Sequence, residues 1–218
     1  MSLLEPDAKS LCKAYGMLVP SFGVARTVDE ASKFAEGIGF PVVLKVVSYD
    51  ILHKTDSGGV LLDLKTPSEV KQGFSQVMAH VKEFKPGAVV DGVLVEKMMP
   101  KGIEVIVGGF VDPQFGQTLM FGLGGIHVEI LRDVVLRVCP VAERDARDML
   151  QELRGHALLN GYRGQPPADE NGLIEVLLKA SKLMMEHSEI EQMDLNPVIA
   201  YEKGAYVIDA RIILRAEK

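Results

Sequence analysis

Apolar positions in the first half of the chain alternate between helical and strand spacing. Helical spacing after a proline predicts a short helix over 6–14. Thr27, followed three residues later by a glutamate, forms a capping box that predicts a helix over 28–36, and the same pattern at Thr66 predicts a helix that runs to about residue 84. Apolar runs bounded by glycine and proline predict strands over 41–47, 60–65 and 92–99. This part of the chain therefore has the pattern of a small lobe with both helices and strands.

After Pro100 the pattern changes to strands that follow one another directly. The strand-like runs lie at 103–111, 117–123, 127–138, 190–200 and 205–214, and the last two are joined by a tight turn at 201–204. Two amphipathic helical patterns, 143–153 and 169–187, should cover the resulting sheet. The predicted fold class is α+β, with a first lobe at 1–96 that includes the N-terminal helix and a second lobe at 97–218.

The composition is that of a globular protein that can bury a core. Of 218 residues, 47% are hydrophobic and 25% are charged, and no uncharged apolar run approaches the ~20 residues of a spanning helix, so we expect no membrane span. A net charge of −6 without a run of Lys and Arg argues against nucleic-acid binding. Cys12 and Cys139 form no disulfide framework, and no secretory signal pattern is present, so we expect a cytoplasmic protein.

Two features of the first lobe suit the binding of phosphate groups. Lys45 lies within the apolar run 41–47, where a lone cation is costly unless an anion meets it. The loop 48–60 offers donors and flexible backbone, namely His53, Lys54, Thr55, Ser57, Gly58 and Gly59. The alternatives are a lysine that reaches solvent from a strand end and an ordinary Gly-Gly turn. His53 could carry a proton, accept a phosphoryl group or donate a hydrogen bond, and the residues alone leave this open.

The junction of the two lobes is a candidate site for a flat ring. It contains Glu96, Lys97, Met98 and Met99, followed shortly by Glu104. Nucleotide-sized ligands tend to bind in clefts between lobes, and backbone groups at a strand end could read an adenine edge. A strand exit with solvated charges, with the methionines in the core, explains the same pattern.

The most specific pair of segments is 190–198 with 206–212. Strand alternation puts Asp194 and Asn196 on one face, and the hairpin should bring Asp209 to within a residue or two of Asn196. Three hard oxygen side chains of this kind suit Mg²⁺, which takes one or two carboxylates together with substrate phosphates and waters. The alternative is a buried aspartate that caps a turn.

Two weaker motifs complete the set. The Gly-Leu-Gly-Gly turn at 122–125 could admit a ligand or be a plain hairpin. Gly155-His156 superficially resembles a phosphohistidine loop, but its surroundings do not support that function. His80, His127 and His187 are too scattered to form a metal cluster.

Together, these motifs resemble the ATP-grasp domain of ADP-forming acyl-CoA synthetases, the β-subunit or β-like region related to succinyl-CoA synthetase. The resemblance covers nearly the whole chain and rests, in order, on PVVLKVV, ILHKTDSGGV, VLVEKMMPKGIEVIVGGFVDPQFG, FGLGGIHVEILRDV, GYRG, DLNPV and VIDARI. It implies a two-lobed ATP-grasp fold that binds ATP or ADP with Mg²⁺.

The resemblance also implies a role for each candidate residue. Lys45 would contact the ATP phosphates, and the loop 53–59 would cover them. The stretch from Glu96 to Met99 would hold adenine and Glu104 the ribose. Asn196 and Asp209 would hold Mg²⁺, with Asp194 binding it directly or through another ligand.

In the family that this chain resembles, a histidine of the α part carries a phosphoryl group away from the acyl phosphate, and His53 would relay it to ADP. No CoA-binding fingerprint is found in the chain, so turnover should require a CoA-binding α subunit or a fused α-like domain. An apolar surface that faces such a partner would favour self-association of the isolated chain into a homo-oligomer.

Two other functions compete with this one. The chain could be a non-catalytic regulatory nucleotide-binding module of a larger acyl-CoA synthetase-like or acetyltransferase fusion protein, although His53, Lys45, Asn196 and Asp209 together argue against a degenerate module. It could also be a free-standing ligase that joins a carboxylate to an amine, but the His53 loop has no obvious use there.

Overall fold

The computed structural model describes residues 2–51, 53–125, 133–161 and 166–215, and the chain divides into two compact units. One is Pro20–Pro100, and the other is Met1–Val19 together with Lys101–Lys218. The boundary differs from the predicted one because the N-terminal helix α1 (Glu5–Ala14) belongs to the larger unit. Ala8, Cys12 and Met17 are part of the apolar core of that unit, which fixes α1 there and not on the first lobe.

The smaller unit, Pro20–Pro100, is an antiparallel sheet of four strands with two helices. Its elements are β1 (Phe22–Ala25), α2 (Val28–Ile38), β2 (Val42–Val47), β3 (Val60–Leu64), α3 (Pro67–Phe84) and β4 (Gly92–Lys97). The strand order is β1-β4-β2-β3, so β2 and β4 are central. All of these elements except β1 were predicted from the sequence. β1 is only four residues long and begins Phe-Gly, which gives too little apolar alternation to detect.

Both predicted capping boxes are present in this unit. Thr27 Oγ1 accepts a hydrogen bond from the Glu30 N–H at 3.2 Å, and the Glu30 carboxylate accepts one in return from the Arg26 N–H at 2.7 Å. Thr66 and Glu69 form the same arrangement at the start of α3. Each box satisfies N–H groups that have no partner within the helix, which is why α2 and α3 begin where the sequence predicted.

Strand β2 is buried along its whole length, as predicted. Val42, Leu44 and Val46 lie in the core that the sheet forms with α2 and α3. Gly73 lets α3 approach closely, because a Cβ atom at that position would lie 3.2 Å from the Leu44 side chain. Since side chains alternate along a strand, Lys45 lies on the opposite face of the sheet from the helices.

The larger unit contains a second antiparallel sheet. Its elements after α1 are β5 (Ile103–Asp112), β6 (Gly116–Leu123), β7 (Val134–Val138), α4 (Glu143–Gln151), a 3₁₀ turn (His156–Leu158), α5 (Glu170–Glu186), β8 (Ile190–Ala200), β9 (Ala205–Val207) and β10 (Ala210–Leu214). The strand order is β10-β8-β5-β6-β7, and β9 pairs with β8. Helices α4 and α5 pack on one face of the sheet, as predicted, and the other face carries the polar residues described below.

Two of the predicted strands differ from the observed ones. The run predicted at 127–138 is observed as β7 from Val134 onward, and 126–132 lie outside the described residues. The run predicted at 205–214 is broken at Ile208 and Asp209 into β9 and β10. This break matters for the site, because it places Asp209 at the junction of two strands and not within a regular ladder.

No helix in the described part of the chain is long and apolar enough to cross a membrane.

Candidate active site

In the smaller unit, the buried Lys45 forms an ion pair with Glu96. Lys45 lies opposite Leu94 in the β2–β4 ladder, so Glu96 is its diagonal neighbour on the same face. The Nζ atom lies 2.9 Å from Oε2, and the two side chains are 9% and 2% exposed. The anion that Lys45 requires is therefore supplied by the chain itself, and the alternative of a lysine that reaches solvent does not hold.

Beyond Glu96, strand β4 leads into the predicted adenine-binding stretch. The Lys97 N–H donates to the Ser21 carbonyl at 2.8 Å, and the Met98 N–H donates to the Pro41 carbonyl at 3.1 Å. The Lys97 ammonium donates to two backbone carbonyls of the turn between α2 and β2. The Met99 N–H forms no hydrogen bond within the described residues, so this amide and the neighbouring carbonyls are the groups that remain for a ligand.

The loop between β2 and β3 is wound into a compact turn. The Lys54 carbonyl accepts hydrogen bonds from the Gly59 N–H and the Ser57 hydroxyl, both at 2.8 Å. The Ser57 N–H donates to the His53 carbonyl at 3.3 Å. Ser57 is 3% exposed, whereas the side chains of His53 and Thr55 are exposed. The turn thus presents His53 to the surface from an anchored backbone.

The two glycines of this loop are required by close packing. Gly58 has a φ of 64°, and a Cβ atom there would lie 2.7 Å from Nδ1 of His80 on α3. A Cβ atom on Gly59 would lie 2.5 Å from the Val46 side chain. Both distances are shorter than real Cβ atoms tolerate, so the Gly-Gly pair is more than an ordinary turn. The contact with His80 was not predicted from the sequence, because α3 lies distant in the chain.

In the larger unit, Asp194 and Asn196 lie on β8, and Asp209 lies opposite Asn196 on the returning segment of the hairpin. Asp194 and Asn196 alternate on β8, and both are exposed. The Asn196 N–H donates to the Asp209 carbonyl at 3.2 Å, which sets these two residues opposite one another where β9 gives way to β10. The Cα partner of Leu195 is Ala210, the residue after Asp209.

The electrostatics of this cluster favour a cation. Desolvation raises the pKa of Asp194, the negative charge of Asp209 raises it further, and Arg211 opposes both effects. Two carboxylates that repel one another beside an amide oxygen are a suitable donor set for Mg²⁺. The residues therefore fit the predicted metal. The described residues contain no group of three or more His, Cys, Asp or Glu side chains that could hold a metal ion, and this site itself combines two acids with an amide.

A groove of about 560 Å³ runs along this face of the sheet. It is lined by Ile106, Gly108, Gly109, Phe110, Met120, Gln192, Met193, Asp194, Asn196, Arg211 and Ile213. The groove combines an acidic end with apolar walls, and sequence reasoning did not assign a function to its Arg211.

Glu104 lies on β5, and its side chain is exposed. Its carbonyl accepts a hydrogen bond from the Gly124 N–H at 2.7 Å. A Cβ atom on Gly124 would lie 2.9 Å from the Glu104 backbone, so this glycine of the turn at 122–125 serves close packing against Glu104. The segment from 126 onward lies outside the described residues, and so does the predicted 162–164 part of the GYRG motif.

His156 does not form part of either cluster. Its Nε2 lies 3.0 Å from a carboxylate oxygen of Glu170, at the start of α5. This contact gives His156 a partner within the larger unit.

Comparison with known proteins gives a consistent family. The model of the ATP-grasp domain family matches residues 1–214. The chain is 46% identical over 212 residues to the β subunit of acetate–CoA ligase [ADP-forming] I from Pyrococcus furiosus, covering 97% of this chain and 91% of that protein. It is also 46% identical over 205 residues to acetate–CoA ligase [ADP-forming] I from Archaeoglobus fulgidus, where the match covers 94% of this chain but 30% of the relative.

A solved relative matches the structure closely. The acetyl-coenzyme A synthetase 1 of Ca. Korarchaeum cryptofilum, in complex with coenzyme A and Ca-AMPCP, superposes with a TM-score of 0.97 at 47% identity, covering 98% of this chain and 93% of that chain. The same synthetase with coenzyme A and Mg-AMPPCP, its phosphohistidine segment pointing towards the nucleotide binding site, gives a TM-score of 0.87 at 44% identity, with the same coverage.

Proposed function

The chain belongs to the ATP-grasp family, within the β subunits of ADP-forming acyl-CoA ligases, and from this premise we propose how its residues divide the work. The chain is the nucleotide-binding, phosphoryl-transfer component of an ADP-forming acyl-CoA synthetase. Such an enzyme interconverts acyl-CoA, ADP and phosphate with the carboxylate, CoA and ATP. The competing function of a non-catalytic regulatory module receives no support from relatives of this identity, which are named as ligases.

Lys45 binds nucleotide phosphates. The ammonium is a compact cation with three N–H donors, a group suited to contacting phosphate oxygens, and its contact with Glu96 places it on the face of β2 opposite the helices. Pairing with Glu96 holds the ammonium in one position before the nucleotide arrives, which lowers the cost of organising the site. The backbone at Lys97 to Met99 supplies the contacts to adenine, since the amide of Met99 is not engaged elsewhere in the described residues, and Glu104 binds the ribose.

Asp194, Asn196 and Asp209 hold the Mg²⁺ that accompanies ATP or ADP. When bound, the ion neutralises negative charge on the phosphates during transfer. The chain contributes the donor set. Asp194 and Asp209 are near enough for the charge of Asp209 to raise the pKa of Asp194, and the backbone of Asn196 is joined to that of Asp209 by a hydrogen bond. Removal of the ion should leave a fold that is intact but electrostatically strained at Asp194.

His53 relays the phosphoryl group. The observation that carries this proposal is the exposed imidazole on a turn whose backbone is fixed by the Lys54 carbonyl and by the packing of Gly58 and Gly59. In the synthesis of ATP, the N–P bond of a phosphohistidine on the α part breaks as an N–P bond to His53 forms. That second N–P bond then breaks as a terminal phosphate oxygen of ADP forms the new O–P bond. Lys45 and the side chains of Lys54 and Thr55 stabilise the charge of the transferring group. Ser57 instead shapes the turn, because its hydroxyl and its N–H both donate to carbonyls within the loop.

The partner is a CoA-binding α part. The family includes a β subunit of nearly the same length as this chain and a relative in which the matching region is less than a third of the protein. We infer that this chain acts with a separate α subunit or with a fused α-like domain. Its location in the cytoplasm and its oligomeric state remain expectations.

Phosphorylation from ATP tests the relay without the partner. The chain is incubated with Mg²⁺ and [γ-³²P]ATP, and acid-labile, base-stable label is measured as the signature of phosphohistidine. We expect label on the unmodified chain and none on His53→Ala, which should still bind Mg-ATP in a calorimetric titration. His156→Ala is the matched control and should be labelled normally. Label on His53→Ala, or a chain that binds Mg-ATP yet is never labelled, would contradict the relay.

A further inference from the structure

Arg211 lies beside the acidic cluster on the groove face of the larger sheet. It is the Cα partner of Asp194 in the β8–β10 ladder and stands two residues after Asp209 on the chain. Since side chains directly opposite one another in an antiparallel pair lie on the same face, Arg211 and Asp194 share the groove. Its side chain is exposed and has not been assigned a function by the sequence motifs.

The guanidinium of Arg211 is available to a ligand. Among the described residues that line the groove, Arg211 is the only cation. No hydrogen bond or ion pair of this side chain is found within the described part of the chain, even though the carboxylate of Asp194 is its neighbour. Its fork of N–H donors can therefore contact an anion that enters the groove.

We propose that Arg211 binds the transferring phosphoryl group and stabilises its charge during transfer. The inference rests on the proposed function, because it requires Mg-nucleotide at Asp194, Asn196 and Asp209. Arg211 is the direct cross-strand neighbour of Asp194, so its long side chain can reach a phosphoryl group bound next to that residue. The planar fork of arginine presents parallel N–H donors that match two phosphoryl oxygens, which a water molecule or a lysine cannot do in the same way.

The phosphoryl group fits this position better than a carboxylate of the acyl substrate. The acidic pair repels a bare carboxylate, whereas a phosphoryl group arrives with the divalent cation that neutralises the pair. Transfer of a phosphoryl group depends mostly on positioning and on electrostatic stabilisation, so one well-placed cation has a large effect on the rate. Arg211 thus completes a site in which the acidic residues hold the metal and the arginine holds the group that moves.

The test compares the binding of ATP with that of ADP. Arg211→Met and Arg211→Lys are titrated calorimetrically with Mg-ATP and with Mg-ADP, and Arg215→Met, which removes an arginine just beyond β10 and outside the groove, is the control. Arg211→Met loses a charge-assisted contact to the terminal phosphoryl group, so its affinity for Mg-ATP should fall about 10- to 100-fold. The binding of Mg-ADP, which lacks that group, should weaken much less. The affinity of Arg211→Lys for Mg-ATP should lie between those of the unmodified chain and Arg211→Met.

A rate measurement accompanies the binding measurement. Labelling of His53 from [γ-³²P]ATP should slow by about 10²- to 10³-fold in Arg211→Met at saturating Mg-ATP, while Arg215→Met should label at the normal rate. If Arg211→Met leaves the ratio of the affinities for Mg-ATP and Mg-ADP unchanged, the role of Arg211 is overturned and the proposed function stays intact. An unmodified chain that binds neither nucleotide would overturn both.

Discussion

Lys45 Nζ lies 2.9 Å from Glu96 Oε2 across the centre of the smaller sheet, and both side chains are almost completely buried. This pair explains how an apolar strand can carry a cation. It also means that Lys45 has two separable duties, since it stabilises a buried carboxylate and is proposed to bind phosphate. Loss of activity in a single variant of Lys45 would not distinguish them.

A double variant separates the two duties of Lys45. Lys45→Met takes the nearest cation from a buried carboxylate and should lower the free energy of unfolding by about 3–5 kcal/mol. Lys45→Met/Glu96→Leu replaces the whole pair by apolar groups and should recover most of that loss, because a buried ion pair exchanged for packed apolar side chains is often close to neutral. Urea unfolding measures both. The double variant should nevertheless fail to bind Mg-ATP in calorimetry.

The single variant Glu96→Gln is the control for that experiment, because it removes the carboxylate charge and keeps Lys45. Nucleotide binding that survives in the stable double variant would show that Lys45 acts on the fold alone.

The order of elements could be predicted because each has a strong local signal. The capping boxes at Thr27 and Thr66 satisfy N–H groups within a few residues, so their effect does not depend on the rest of the fold. The assignment of α1 failed for the opposite reason. Its apolar residues predict a helix but carry no information about which sheet covers them, and that sheet is built from residues beyond 100.

The site was predictable where it lies on a hairpin and not where it depends on distant contacts. Counting residues around the turn at 201–204 predicts that Asp209 lies within a residue or two of Asn196, and the backbone hydrogen bond between these two residues agrees with that register. The partner of Lys45 and the contact of His80 with Gly58 come from different strands and helices. Register between such elements is set by packing of the whole sheet, which a local pattern does not encode.

His80 should position the relay loop. Its ring packs on Gly58, and Nδ1 lies 3.4 Å from the Gly58 carbonyl. His80→Ala leaves a space beneath the turn, so the exposed His53 should be less well placed and its labelling from ATP should slow by up to about 10²-fold. Affinity for Mg-ADP should change little. His80→Gln, which keeps a polar group of similar length, should restore part of the rate.

Gly58→Ala approaches the same contact from the loop. The added Cβ meets the ring of His80 and is strained at the positive φ of this residue. Gly58→Ala/His80→Ala removes the steric contact but keeps the backbone strain, so it should label faster than Gly58→Ala alone and more slowly than the unmodified chain. An unchanged labelling rate in His80→Ala would dismiss the positioning role.

Asp194 should lower the stability of the metal-free protein and contribute to the binding of Mg-ADP. Desolvation and the charge of Asp209 raise its pKa, so its ionised form is disfavoured in the folded chain. Asp194→Asn removes that charge and should leave the melting temperature in EDTA equal or higher. The further rise in melting temperature that Mg-ADP gives the unmodified chain should disappear. Glu191→Gln, an exposed neighbour on the same strand, controls for net charge, and a lower melting temperature of Asp194→Asn in EDTA would refute the argument.

Asp169 should make the stability of the larger unit depend on pH. Its carboxylate accepts from the Gly204 N–H at 2.8 Å and from the Gly172 N–H at 3.0 Å, which ties the start of α5 to the β8–β9 turn. These two bonds, Gly204 first, hold the pKa of Asp169 below its ordinary value of 3.8. A lowered folded-state pKa contributes stability that is complete above 3.8 and is lost as pH falls through the lower value.

Asp169→Asn should therefore be less stable than the unmodified chain at pH 7, by about 1 kcal/mol. In urea unfolding between pH 5 and about pH 3 that gap should narrow, because only the unmodified chain loses a charged acceptor. Glu202→Gln, on the same turn, controls for the loss of one negative charge, and a gap that stays constant with pH would show that the two hydrogen bonds do not depend on ionisation.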